Sequence, residues 1–179
     1  MSADASVDAA GLADALAAMA GREVWSAKLG IGSHLTVDLG DRLEQRLVFG
    51  GKERTRAIGE WRLWIQLAAW RLEDDSQVLL GSEDPRPAIA EKIAVLHGRR
   101  ITAVNVTAPA LETVFDFDGV KLLVFPVHSG LGSASDTSPH TQWSLWRPQG
   151  DIVSVSSGPD CGWAIEPSSM RAADGTADL

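Results

Sequence analysis

Residues 60–73, EWRLWIQLAAWRLE, hold three of the chain's seven tryptophans and constrain the fold more than any other stretch. Side chains alternate sides along a strand. As a strand, Trp61, Leu63, Ile65, Leu67 and Ala69 therefore form one wholly apolar face. The opposite face mixes Arg62, Trp64, Gln66, Ala68 and Trp70. As a helix, Arg62, Gln66 and Glu73 would share a polar stripe, with apolar residues around the rest. The aromatic content and the lack of a good N-cap favour the strand. Fourteen residues is long for one strand, so a bend or bulge is expected near Ala68-Ala69. The helix stays open as an alternative, because short apolar runs are poorly resolved by periodicity.

A strand of this kind needs partners, and the rest of the chain supplies them. Residues 8–20 place Leu12, Leu16 and Met19 at helical spacing, with a stop at Gly21. Residues 22–29 read as a strand, broken by Gly30-Ile31-Gly32. In residues 33–39, Leu35, Val37 and Leu39 alternate with His34, Thr36 and Asp38. Gly40-Asp41 reads as a turn, residues 42–49 as a strand and residues 50–59 as a charged loop. A short strand at 77–80 precedes a helix at 85–97, with Ile89, Ile93 and Leu96 as its buried stripe. Ser82 or Asp84 is its expected cap, and His97 is expected to meet the negative end of its dipole.

Strands at 99–106, 111–117 and 120–127 follow, the last two joined by Asp118-Gly119, a strong hairpin signal. A Gly- and Ser-rich loop at 129–140 leads to a last hairpin, 142–147 and 151–156, around Pro148-Gln149-Gly150. The pattern predicts an α+β fold: a curved, mainly antiparallel sheet of about seven strands, one packed helix and a short N-terminal helix. Residues 8–166 are expected to form a single domain between a flexible start, 1–7, and a flexible tail, 167–179.

Charge narrows the partners. The formal net charge of the 179 residues is -8, and residues 22–166 carry 15 basic and 19 acidic side chains, a net of -4. Nucleic acid and anionic membranes are disfavoured, since both need clustered Lys and Arg. A basic protein partner fits the sign. Cys161 is the only cysteine, so no intramolecular disulfide or CxxC metal motif can form. That suits a reducing compartment, and a cytoplasmic location is expected. The N-terminus does not read as a signal peptide, and no apolar run approaches the length of a membrane span.

Catalytic signatures are missing from the sequence. The four histidines, His34, His97, His128 and His140, show neither HExxH nor HxH spacing, and no P-loop, GxSxG or GxGxxG motif occurs. Cys161, in PDCGW, has no nucleophile signature around it. No cofactor or metal is expected. Lys52, Arg54 and Arg56 could bind an anion, although Glu53 and Glu60 dilute them and a solvated loop is the simpler reading. The candidate binding residues are Trp64, Trp70, Arg62 and Gln66 on the mixed strand face, with His34 and Asp38 on a neighbouring one. Trp and Arg together dominate binding hot spots. The competing reading is a helix laid over that face, which would make the tryptophans core.

GEWRLWIQLAAWRLE at 59–73, LETVFDFDGVKLLVFPV at 111–127 and QWSLWRPQG at 142–150 together resemble a group of small uncharacterised bacterial proteins. Some similar small α+β proteins are immunity proteins that neutralise a toxin. The resemblance rests on strand and turn patterns and carries no functional residue. It implies a non-catalytic interaction protein, an immunity-like binder of a basic partner. The alternative is a small-molecule-binding domain or weak enzyme using the mixed face of residues 62–70.

Overall fold

The computed structural model describes residues 8–49, 52–127, 140–157 and 162–168. The chain enters as a helix, α1 (Ala9–Leu16), with a 3-10 turn over Ala17–Met19. Asp8 caps it by accepting the Gly11 N–H at 2.7 Å. Leu12, Leu16 and Met19 are all buried, as their spacing predicts, and Gly21 ends the segment at φ 78°.

Eleven strands follow among the described residues: β1 (Val24–Leu29), β2 (Leu35–Phe49), β3 (Lys52–Ile65), β4 (Ala69–Glu73), β5 (Val78–Gly81), β6 (Ile101–Thr107), β7 (Glu112–Phe117), β8 (Val120–Phe125), β9 (His140–Trp146), β10 (Asp151–Ser157) and β11 (Gly162–Pro167). A second helix, α2 (Arg86–Lys92), with a 3-10 turn over Ile93–Leu96, separates β5 from β6. The expected single sheet of about seven strands is instead two sheets. One has six strands in the order β1-β2-β3-β9-β10-β11, the other five in the order β5-β4-β8-β7-β6. Every strand pair is antiparallel. Their inner faces share one core, in which Trp61, Trp70, Trp143, Phe115 and Phe117 are the largest buried side chains.

The corner between the sheets lies within residues 60–73. Residues 60–73 are strand, not helix, but they form two strands in two different sheets. The backbone N–H groups of Gln66, Leu67 and Ala68 all donate to the Gln142 carbonyl, at 2.9, 3.1 and 3.3 Å. That convergence shifts the alternation by one. Trp61, Leu63 and Ile65 face the core before the corner; Ala68, Trp70 and Leu72 face it afterwards. Leu67, expected in the core, is 48% exposed. A one-residue slip exchanges the two faces of a strand.

Two other expectations change. Gly40-Asp41 is no turn: β2 runs through it, and the pairing with β3 slips between Leu39 and Arg42. The β2 strand gains one residue there, which is a bulge, and Gly40 takes φ 72° to make it. The predicted charged loop at 50–59 is strand from Lys52 onward. Its Arg and Glu side chains read as loop because residues 52–57 are exposed on both faces of the strand.

The helices lie against β1, β5 and β6 rather than across the middle of the six-stranded sheet. α2 buries Ile89, with Ile93 and Leu96 after it. No side chain caps it: Asp84 accepts the Gly81 N–H at 2.7 Å and the Ser82 hydroxyl accepts the Trp70 N–H at 3.4 Å. His97 is not a cationic cap either. Its Nε2 accepts the Ala27 N–H at 3.0 Å, which requires that nitrogen to be unprotonated. The hairpin at Asp118-Gly119 forms with both residues at positive φ, 53° and 86°, as such a two-residue turn demands. β11 reaches Pro167, one residue into the expected tail, and the Trp163 indole donates to the Asp8 carbonyl at 2.8 Å. Of the expected loop at 129–140, His140 opens β9 instead, while residues 129–139, the start at 1–7 and the tail from 169 lie outside the described residues.

Candidate functional site

The outward side chains of the six-stranded sheet form rows set by strand register. One row runs Lys28, Thr36, Trp64, Ser144, Ser154, Ala164 across β1, β2, β3, β9, β10 and β11. The next runs Ser26, Asp38, Arg62, Trp146, Ile152, Glu166. His34 and Gln66 stand just beyond the first row.

Of the six predicted binding residues, Trp64, Arg62, Gln66, His34 and Asp38 gather on this surface. Trp70 does not. The corner turns it into the core, where it is 2% exposed, and its indole N–H donates to the Ser33 carbonyl at 2.8 Å. The mixed face of residues 62–70 is therefore not one surface; it ends at Gln66.

Asp38 is 2% exposed, yet it is not left without partners. It accepts the Gly59 N–H at 2.9 Å and faces Arg62, with Nε at 3.1 Å and Nη2 at 3.5 Å. The Arg62 Nε–H finds no aligned acceptor, so its part in this contact is mainly coulombic. A buried carboxylate is tolerable only with such neighbours. They also set its role: Asp38 holds β3 to β2 where the bulge bends both. Arg56, on the outward side of β3, donates from Nε to Gln45 Oε1 at 2.8 Å. Its pKa is pushed below the ordinary arginine value, first by burial and then by Arg62, with Asp38 opposing. A guanidinium stays protonated regardless. Desolvation is the larger cause, and the second cation beside Asp38 adds to it.

Beside this charged group lies an aromatic one. Trp64 stacks on Trp146, with ring centroids 5.6 Å apart and planes 30° apart. His34 meets Trp64 edge-on at 6.2 Å. That contact, not Asp38, is where His34 is placed; His34 stands just before β2, four residue steps from Asp38, about 13 Å along the strand. Trp64 is half-buried and Trp146 is buried, and the Trp146 Nε1–H has no acceptor. Gln66 Nε2 donates weakly to the Ser144 hydroxyl at 3.5 Å, and Ser144 bonds Ser154 at 3.3 Å.

This arrangement offers donors and π surface. Among the described residues no three His, Cys, Asp or Glu side chains group to hold a metal ion. His128 and Cys161 lie outside the described residues. Trp146 and the link to Arg56 escaped the sequence reading. Alternation does put Trp146 opposite Trp143, and Trp143 packs on Phe115 in the core at 5.8 Å. Nothing local, however, shows that β9 pairs with β3.

No helix among the described residues is long and apolar enough to cross a membrane. No protein-family model matches the chain, and no curated protein or solved structure matches it either.

Proposed function

We propose that this chain is a non-catalytic interaction protein whose contact surface is the outer face of the six-stranded sheet, centred on Trp64. One observation carries the reading: Trp64 is held rigidly against Trp146 beside Arg62, half-exposed, while the helices lie elsewhere. Stiff aromatic and arginine anchors with little rotamer entropy to lose are the usual centres of protein interfaces. The resemblance to immunity proteins supplies a partner class, a toxin. The chain's net charge of -8 favours a basic partner overall, while Lys52, Arg54 and Arg56 make the outer end of β3 locally basic. A small-molecule site over residues 62–70 finds less support, because Ala68 and Trp70 belong to the core.

The test is site-directed photo-crosslinking in the native host. A crosslinker at Thr36, next to Trp64 on this face, should capture a protein partner, and Trp64→Ala should abolish the capture. The control is a crosslinker at Asn105, on β6 of the other sheet. Capture that is equal from both positions, or that survives Trp64→Ala, would overturn the reading.

A further inference from the structure

The donor and acceptor inventory of this face is lopsided. Asp38 spends its carboxylate on Gly59 and Arg62, and Glu60 accepts the Asp41 N–H at 3.1 Å and meets Arg22 at 3.7 Å. Both nearby carboxylates are thus engaged within the chain. The donors are not. The Nε of Arg62 and the Nε1 of Trp146 are buried without an aligned acceptor. Arg56 uses its Nε on Gln45, and a guanidinium carries further N–H groups. Lys28 is exposed on β1, two strands from β3, in the row of Thr36 and Trp64.

The same side of β3 continues past Arg56 to Arg54 and Lys52, both exposed. Alternate residues on a strand stand about 6.6 Å apart. The face therefore presents three cations, Lys52, Arg54 and Arg56, at the spacing of alternate side chains, with Ile58 and Glu60 between them and Arg62 and Trp64. Its complement is an extended chain with carboxylates at alternate positions.

We infer that this face receives an extended acidic segment of a protein partner, whose Asp or Glu carboxylates meet Arg56 and Arg54 while an apolar side chain farther along the segment lies on Trp64. The inference rests on the interaction reading above and names its chemistry. Carboxylates bridge guanidinium groups in planar, charge-assisted pairs, which phosphate or sulfate alone would form without the apolar anchor. The chain's negative net charge opposes a polyanion such as nucleic acid, which would engage the whole surface rather than one strip.

The experiment uses the full chain and labelled synthetic peptides, read by fluorescence anisotropy. One peptide alternates Glu and Leu; its counterpart alternates Lys and Leu. The Glu peptide should bind and the Lys peptide should not. Arg56→Glu should weaken the Glu peptide by more than about tenfold, or ~1.4 kcal/mol, and Arg54→Ala by less. Trp64→Ala should weaken it as well. Arg56 and Arg54 are exposed, so an unchanged melting temperature checks that these variants fold. Binding of both peptides alike, or no response to Arg56→Glu, would overturn the inference. So would displacement of the peptide by inorganic phosphate at matched ionic strength, which would indicate a small-anion site. Self-association of the chain in sedimentation, lost in Arg56→Glu, would make a second copy the occupant and overturn it too. A partner crosslinked at Thr36 that persists in Arg56→Glu but not in Trp64→Ala would sink the acidic segment and leave the interaction reading standing.

Discussion

β2 and β3 pair along nearly their whole length, yet the two ends of this hairpin live in different environments. On the sheet side of the bulge, Leu35, Val37 and Leu39 pair with Ile65, Leu63 and Trp61, and none of the six is more than 2% exposed. Beyond the bulge, Arg42, Glu44, Arg46, Lys52, Glu53, Arg54 and Arg56 are exposed. Both ends have the same backbone ladder. The difference is what a second layer does: the five-stranded sheet covers the first part and, among the described residues, nothing comparable covers the rest. Hydrogen bonding makes a ribbon, and apolar burial decides which part of it is held in place.

The sharpest way to test this comparison is to delete side chains at its buried end. Leu63→Ala or Ile65→Ala should cost roughly 2–5 kcal/mol, from lost transfer energy and the cavity left between the sheets. Thr55→Ala, on the exposed part of the same strand, should change stability by less than about 0.5 kcal/mol. Urea denaturation measures both. Equal tolerance at Leu63 and Thr55 would remove the claim that layering, not pairing, sets the difference.

The junction between the two ends gives the next effect. Asp38→Ala would strand the Gly59 N–H and leave Arg62 facing no charge, which should cost about 3 kcal/mol. Gly59 itself cannot take a side chain without rearrangement, because a Cβ there would lie 2.4 Å from the Trp61 carbonyl oxygen and 2.7 Å from the Leu39 nitrogen. Both are backbone atoms with nowhere to swing. Gly59→Ala should therefore destabilise by roughly 1–3 kcal/mol, and combining it with Asp38→Ala should be less than additive, since both break one bend. Full additivity in the double mutant would show that Asp38 and Gly59 do not act together.

The same contrast explains what could be read from the sequence. The alternation in Leu35, Val37, Leu39 and in Trp61, Leu63, Ile65 is visible because one face is buried. The Asp118-Gly119 hairpin and the helix stop at Gly21 are visible because positive φ selects the residue type. The exposed half of the hairpin looks like a loop, since solvent on both sides removes the period of two. The bulge at Gly40-Asp41 mimics a turn for the same chemical reason a turn needs glycine. The corner at Gln66–Ala68 is set by the carbonyl of Gln142, over seventy residues away, and no local pattern encodes it. Local alternation therefore groups Trp70 with Trp64 and does not bring Trp146 beside Trp64.

The smallest effect belongs to the exposed half, where pairs of opposite charge face each other without shelter. Arg46 and Glu53 lie 3.7 Å apart with side chains 78% and 62% exposed. Water and salt screen such a pair, and two long side chains lose rotamer freedom to form it. Arg147 and Asp151 are the sheltered counterpart: side chains 14% and 23% exposed, joined by two hydrogen bonds of 2.7 and 2.5 Å. Here two parallel contacts fix the guanidinium, and the chain has less solvent to compete with. Double-mutant cycles to Ala should give a coupling below about 0.5 kcal/mol for Arg46 with Glu53 and a larger one, about 1 kcal/mol, for Arg147 with Asp151. Raising salt from low to high should erase the first and only reduce the second. If the exposed pair couples as strongly as the sheltered one, the outer half of the hairpin is held by more than its ladder, and the contrast between the two ends fails there.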